Sequence, residues 1–253
     1  MDGQGIDALL ALCEKGTAKE QCGAIVDLEE LRAREALPVL LGLVSSPDTA
    51  VRANVASALG KLGSCESVAP ALLSLLEDPE ALARVMAIQS LGELRCAECV
   101  PRLMQGLASD PDPLVRLQAA ETLGTLKDRA ALPSLTSALR DPDEGVRSSA
   151  AEALGQCGER GVMPELSALL ALERNPLVRA SVLSALYQLG DEAALTLLLD
   201  GVEGVDDQTA ATVLNLAVEV MRPHHAALLR SRLAALVHSR QTLAAEAESL
   251  LRR

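Results

Sequence analysis

The chain rewrites one pattern every 31 or 32 residues. Pro38, Pro70, Pro101, Pro133 and Pro164 each open an apolar run. A second proline closes each run, at Pro47, Pro79, Pro111, Pro142 and Pro176. An arginine then follows, at Arg52, Arg84, Arg116, Arg147 and Arg179, and a Leu-Gly pair ends four of the five units, at Leu59-Gly60, Leu91-Gly92, Leu123-Gly124 and Leu154-Gly155. A fixed period of this length marks a stacked array, because one such unit cannot bury its apolar face alone. It also moves the question of function from a closed pocket to an extended surface.

Residues 129–158 show the physics of one unit. Pro133 falls in the first turn of a helix, where its missing N–H costs little. Leu132, Leu135 and Leu139 share a helical face. Asp141-Pro142-Asp143 breaks that helix and caps the next. The second helix buries Val146, Ala150, Ala153 and Leu154, and Gly158 ends it. The unit is a helical hairpin. Composition agrees: Leu (49) and Ala (41) fill over a third of the chain, and Phe and Trp are absent. Both abundant residues favour helix, and the scarcity of β-branched and aromatic residues disfavours strands.

The recurring Pro, the Asp-Pro turn, the Val-Arg pair and the Ala-Leu-Gly helix end resemble HEAT-like repeats of the short phycobilisome-lyase type. The resemblance covers residues 34–190 as five regular repeats. It implies an all-α fold, a right-handed α-solenoid of about eight stacked hairpins running as one domain over 1–253. Residues 5–33 would be an N-terminal capping hairpin. Residues 191–253 would hold two divergent C-terminal hairpins, 191–221 and 223–253. Divergent ends suit capping units.

The same resemblance implies that the Val-Arg arginines form a ladder, each bridging to acidic or carbonyl groups of a neighbouring turn. Asp78, Asp110 and Asp141 are the candidate partners, and Ser46 and Asn175 hold the matching slots. It further implies that the second helix of each hairpin lines the concave side, where outward slots contact a protein partner. One row of slots is Asn54, Met86, Gln118, Ser149 and Ser181. The next is Ser57, Gln89, Glu121, Glu152 and Ser184. The third is Lys61, Glu93, Thr125, Gln156 and Gln188. Leu82, Leu114 and Leu177 stand two residues before their ladder arginines and, with Met86, would make an apolar ridge if exposed, a feature of partner sites. The alternative is that they staple the inter-helix turns. Tyr187, the single aromatic residue, takes the slot that is Gly60, Gly92, Gly124 and Gly155 elsewhere. It must open the packing or point into the groove as a contact.

Charge and motifs narrow the function classes. Net charge is −12. Residues 1–221 carry 17 Lys/Arg against 33 Asp/Glu, and residues 222–253 carry 6 against 2. An acidic body repels phosphate backbones, which argues against nucleic acid. No run approaches the roughly 18 apolar residues of a membrane span, and the first residues lack the basic region of a signal peptide. A cytoplasmic protein is expected, and the 19 Arg against 4 Lys suggest a bacterial source. Six Cys then read as reduced thiols. Cys96-Ala97-Glu98-Cys99 is a CxxC with Cys65 one repeat earlier, but zinc sites need four ligands and no second CxxC exists. Cys157 replaces Leu62, Leu94 and Leu126 and reads as a small core residue. His224, His225 and His238 are not followed by Glu, so the His-Glu pairs of iron-binding HEAT-like hydroxylases are missing. Phosphate-loop and nucleophile-elbow motifs are also missing. The basic C-terminal set Arg222, Arg230, Arg232, Arg240, Arg252 and Arg253 suits a cap or a dock for an acidic partner. The expectation is a non-catalytic scaffold that binds a protein partner, with no metal, cofactor, nucleic acid or membrane, and with small molecules disfavoured. The alternative is an accessory subunit of a cofactor-attaching lyase, although the near-absence of aromatics speaks against a groove for a flat chromophore.

Overall fold

The structure, a computed structural model, describes residues 3–225, 227 and 230–232. Its helices, in chain order, are α1 (Gly3–Lys15), α2 (Ala18–Glu30), α3 (Leu37–Gly42), α4 (Thr49–Leu62), α5 (Cys65–Leu75), α6 (Ala81–Glu93) and α7 (Val100–Ser109). They continue as α8 (Pro113–Leu126), α9 (Leu132–Ala138), α10 (Glu144–Cys157), α11 (Met163–Leu172), α12 (Pro176–Gln188), α13 (Ala193–Asp200) and α14 (Asp207–Val220). Successive pairs make seven hairpins among the described residues, and no strand occurs among them. The chain is an all-α solenoid, as its period requires. Most of the expected last hairpin, 223–253, lies outside the described residues. The described residues divide into two compact units, one up to Ser134 and one from Leu135 on.

Sequence punctuation accounts for the helix boundaries. Asp48, Asp112, Asp143 and Asn175 each cap the following second helix, their side chains accepting from its first backbone N–H groups. Such caps contribute on the order of 1 kcal/mol each. At the far end the chain turns through the left-handed region at Arg32, Arg95, Lys127, Gly158 and Gly190. A short 3-10 turn then leads into the next first helix, at Arg34–Ala36, Ala97–Cys99, Arg129–Ala131 and Arg160–Val162. The repeat prolines fall in the first turn after it in α3, α7 and α11. In α5 the helix starts earlier and holds Pro70 inside.

In the first unit, α2, α4, α6 and α8 pack side by side, while each first helix packs on its own second helix. In the second unit α10, α12 and α14 do the same. Close approach in this layer needs glycine. A Cβ on Gly60 would stand 2.5 Å from Ser90 Oγ, one on Gly92 2.8 Å from a methyl of Thr122, and one on Gly155 2.8 Å from Ala185 Cα. That is why Leu-Gly closes these units. The leucines beside the repeat glycines, Leu59, Leu91, Leu123 and Leu154, are fully buried and repeat the same core slot. Each contributes roughly 1.5–3 kcal/mol through burial.

Candidate functional site

The turn edge carries the arginine ladder. Arg52 Nε and Nη2 donate to the Asp78 carboxylate at 2.5 and 2.8 Å, while its Nη1 donates to Ser46 O at 2.8 Å. Arg84 repeats this, with both bonds to Asp110 at 2.8 Å and Nη1 on Asp78 O at 2.8 Å. Arg147 Nε donates to Glu173 at 2.8 Å and its Nη1 to Asp141 O at 2.9 Å. Arg116 Nη1 donates to Asp110 O at 2.8 Å. Each of these acids also accepts an N–H of its own turn: Glu80 N to Asp78, Asp112 N to Asp110, Asn175 N to Glu173, all at 2.9 Å. One carboxylate therefore closes its own turn and clasps the preceding repeat. Burial works against the charge on Asp78, but the Arg52 and Glu80 bonds outweigh it and hold the carboxyl below its ordinary range. For Glu173 burial is outweighed in the same way by Arg147, Asn175 and Arg174. The sequence slot at Asn175 is corrected here: Glu173 is the acid, and Asn175 serves as helix cap.

The layer of second helices presents the candidate contact face. Leu82 and Leu114 sit in the first turns of α6 and α8 and are 53% and 62% exposed. Leu177, in the second unit, holds the same position in α12 and is 39% exposed. Gln89, Glu93 and Glu121 are exposed, and Met86, Gln118, Glu152 and Gln188 are half-buried. Gln89 Nε2 donates to Glu93 Oε1 at 2.9 Å, which ties two slots of α6 together. Lys61 pairs with Glu29 across α4 and α2.

Four expected contact residues are corrected. Ser149, Ser181, Ser184 and Tyr187 are buried and offer no surface to a partner. The reason is the tight layer, which covers these slots with the neighbouring second helix. Ser181 and Ser184 use their hydroxyls internally instead, Ser184 Oγ accepting from Gln188 Nε2 at 3.4 Å. Ser148 and Ser181 Oγ are 2.7 Å apart, and Ser181 Oγ donates to Glu152 at 2.6 Å. Burial pushes the Glu152 carboxyl up, the Ser181 bond works against that, and the charge of Glu219 adds to it.

Tyr187 is a packing anchor. It replaces a glycine in the last regular unit, and its ring is fully buried. Its Oη lies 2.9 Å from His225 Nδ1 and accepts from Arg222 N at 3.0 Å. The Arg222 guanidinium stacks 5.4 Å over the ring, a cation–π contact. Of the basic C-terminal set, Arg222 is thus held on Tyr187, and Arg232 pairs with Asp200 at 2.6 Å. Arg240, Arg252, Arg253 and His238 lie outside the described residues.

The cysteines also depart from expectation. Cys65, at the start of α5, and Cys96, in the turn before α7, form a disulfide across one repeat, with Cα atoms 5.5 Å apart. Cys99, the second cysteine of the CxxC, is buried, and that burial pushes its thiol up to about 11. The motif therefore does not act as a dithiol pair. Its first sulfur bonds to the preceding repeat and its second is an inert core thiol. Cys157 is half-buried.

The period, the hairpins and the ladder agree with a family comparison. The family model described as HEAT repeats matches residues 6–83, 69–155 and 132–219. The chain belongs to the HEAT repeat family. Solved HEAT-like structures share its fold. The complex of CpcE and CpcF of phycocyanin lyase from Nostoc sp. PCC7120 matches with a TM-score of 0.64 at 24% identity, over 85% of this chain and 93% of that one. The YibA protein of E. coli matches with a TM-score of 0.61 at 19% identity, over 98% and 92%. An engineered protein matches with a TM-score of 0.50 at 18% identity, over 85% and 97%. A comparison with curated protein sequences returned no match. Among the described residues, no helix of this HEAT chain is long and apolar enough to cross a membrane.

The inter-repeat disulfide is the feature that sequence reading missed. Its signal was present: Cys65 and Cys96 occupy the same slot of consecutive repeats, 31 residues apart, and stacked repeats bring equal slots together.

Proposed function

We propose that this HEAT protein is a non-catalytic scaffold that binds a protein partner on the face of its second helices. The observation that carries the reading is the pair Leu82 and Leu114. These large apolar side chains stand more than half exposed in the first turns of adjacent helices, beside exposed Gln89, Glu93 and Glu121. An apolar pair rimmed by polar groups is the pattern of an interface centre. The acids at the turn edge are committed to structure, since Asp78 is clasped by Arg52 and Glu173 by Arg147. The acidic balance of the chain disfavours nucleic acid as the partner.

The test compares affinity capture from lysate by wild type and by a Leu82→Glu/Leu114→Glu variant whose helicity is first verified by circular dichroism. Proteins retained by wild type and lost by the folded variant support the reading. Identical capture by both removes these leucines from the interface.

A second reading, an accessory subunit of a cofactor-attaching lyase, is favoured by the likeness to the CpcE–CpcF complex. Titration with a linear tetrapyrrole followed by absorbance discriminates the two. A saturable spectral shift supports the lyase-type role, and an unchanged spectrum supports the plain scaffold.

A further inference from the structure

The ladder loses its acid at the last rung. Arg52, Arg84 and Arg147 each reach a carboxylate 26 residues ahead, at Asp78, Asp110 and Glu173. The residue 26 ahead of Arg179 is Val205. Arg179 keeps the carbonyl half of the pattern, with Nη1 donating to Leu170 O at 2.8 Å and to Glu173 O at 3.1 Å. Its Nε and Nη2 edge makes no bond to any described residue. The nearby acids are engaged elsewhere. Glu173 takes Arg147 on one oxygen and the N–H groups of Arg174 and Asn175 on the other. Asp206 caps α14, accepting from Thr209 N at 2.9 Å and from Thr209 Oγ1 at 2.7 Å.

Arg179 lines a cavity of about 330 Å³ between α11, α12, α13 and α14, whose wall also holds Val205. Arg174 joins Arg179 in its wall, and Leu183, Leu198 and Val213 give it an apolar floor. Glu203 lies on the wall as well, exposed and without an ion pair to either arginine. The equivalent hollow in the first unit is built in the same register. Ile88, Leu103 and Gly106 follow Arg84 at the offsets at which Leu183, Leu198 and Gly201 follow Arg179. There, however, Asp110 fills the guanidinium fork. The fold therefore supplies its own occupant at one rung and leaves the same fork open at another.

We propose that this cavity is a binding site for a carboxylate carried on a small apolar body, with Arg179 as its bidentate ligand and Arg174 as a second cation. A planar guanidinium fork matches a carboxylate in shape and charge, and the volume suits a small ligand at the lower end of natural pockets. The carboxylate comes either from a free organic acid or from an acidic side chain of a partner protein.

Ligand-observed NMR with hexanoate, with uncharged hexanamide as control, tests the site. Hexanoate should bind wild type with a Kd of roughly millimolar size, and hexanamide at least about tenfold more weakly. Arg179→Gln should weaken hexanoate about tenfold or more. Val205→Asp restores the missing acid and should abolish hexanoate binding while melting no lower than wild type, which separates occupancy from misfolding. A second arm titrates acetyl-Leu-Glu-Leu amide against its Gln counterpart. Tighter binding of hexanoate assigns a free acid as the occupant. Tighter binding of the Glu peptide assigns a protein side chain. Absence of charge-selective binding by either probe overturns the proposal, as does full hexanoate binding by folded Val205→Asp.

Discussion

Replacing Arg84 by Ala removes one rung of the ladder. Both partners of the rung are about nine-tenths covered, at 10% exposure for the arginine side chain and 9% for Asp110. Arg84 makes two bonds to Asp110 and one to Asp78 O, all at 2.8 Å, and a longer one to Pro79 O at 3.2 Å. Removing one partner of a buried pair costs about 3–5 kcal/mol, because the other charge stays behind. Asp110 retains the Asp112 N–H at 2.9 Å, which places the expected loss at the lower end, about 3 kcal/mol. For a chain of this length that is a fall in melting temperature of roughly 6–12 °C. Thermal denaturation at neutral pH reads the size of the effect. Hydrogen exchange reads its place, since repeat arrays open locally, and the lost protection should centre on α6, α7 and α8. The double variant Arg84→Met/Asp110→Leu should recover part of the loss, because an apolar pair leaves no stranded charge, while the Asp112 N–H gives up its acceptor. A fall of under about 1 kcal/mol for Arg84→Ala would refute the claim that the ladder joins the repeats.

Three further outcomes rest on the same geometry. Gly155→Ala should destabilise by about 1–3 kcal/mol, because the new methyl would stand 2.8 Å from the Ala185 backbone, whereas Gly106→Ala, in α7 with open space around it, should stabilise by roughly 0.5–1 kcal/mol; chemical denaturation of both variants measures the contrast. Reduction with dithiothreitol should lower stability by about 3–4 kcal/mol, the loop-entropy value for a cross-link of this span; Cys65→Ser should abolish that sensitivity, while peptide mapping should find Cys65 joined to Cys96 and Cys99 unlabelled by iodoacetamide. Asp78 and Glu173 have folded pKa values below their unfolded ones, so their contribution is complete above the unfolded carboxylate range near pH 4 and is lost as pH falls through the depressed values; Arg52→Gln/Arg147→Gln should flatten that acid limb in melts from pH 6 to pH 2.

The solenoid was readable because its signal is redundant. The prolines, Asp-Pro turns and Leu-Gly ends are local rules that agree with one another, and each became a helix start, a cap or a close approach. The ladder was readable in its chemistry, yet the partner of Arg147 was missed, because the matching slot holds Asn175 and the acid, Glu173, lies two residues earlier. The contact face was only partly legible. Leu82 and Leu114 stand out because they are large apolar side chains left more than half exposed in their first turns, where the neighbouring Ala83 and Val115 are buried. Ser149, Ser181 and Ser184 look like surface residues in sequence, but glycine brings the second helices close enough to enclose them, and Ser181 turns its hydroxyl to Ser148 and Glu152. Tyr187 was ambiguous for want of its partners, Arg222 and His225, which arrive from more than 30 residues downstream. The open rung at Arg179 is invisible until the register of the ladder is known, because only that register gives Val205 a meaning.

The most direct test of the scaffold account is hydrogen–deuterium exchange of the protein with and without a partner isolated by capture. The account predicts new protection in the first turns of α6 and α8, around Leu82 and Leu114, and along the Gln89, Glu93 and Glu121 slots. Protection confined to the first helices α5 and α7, with α6 and α8 unchanged, would contradict it.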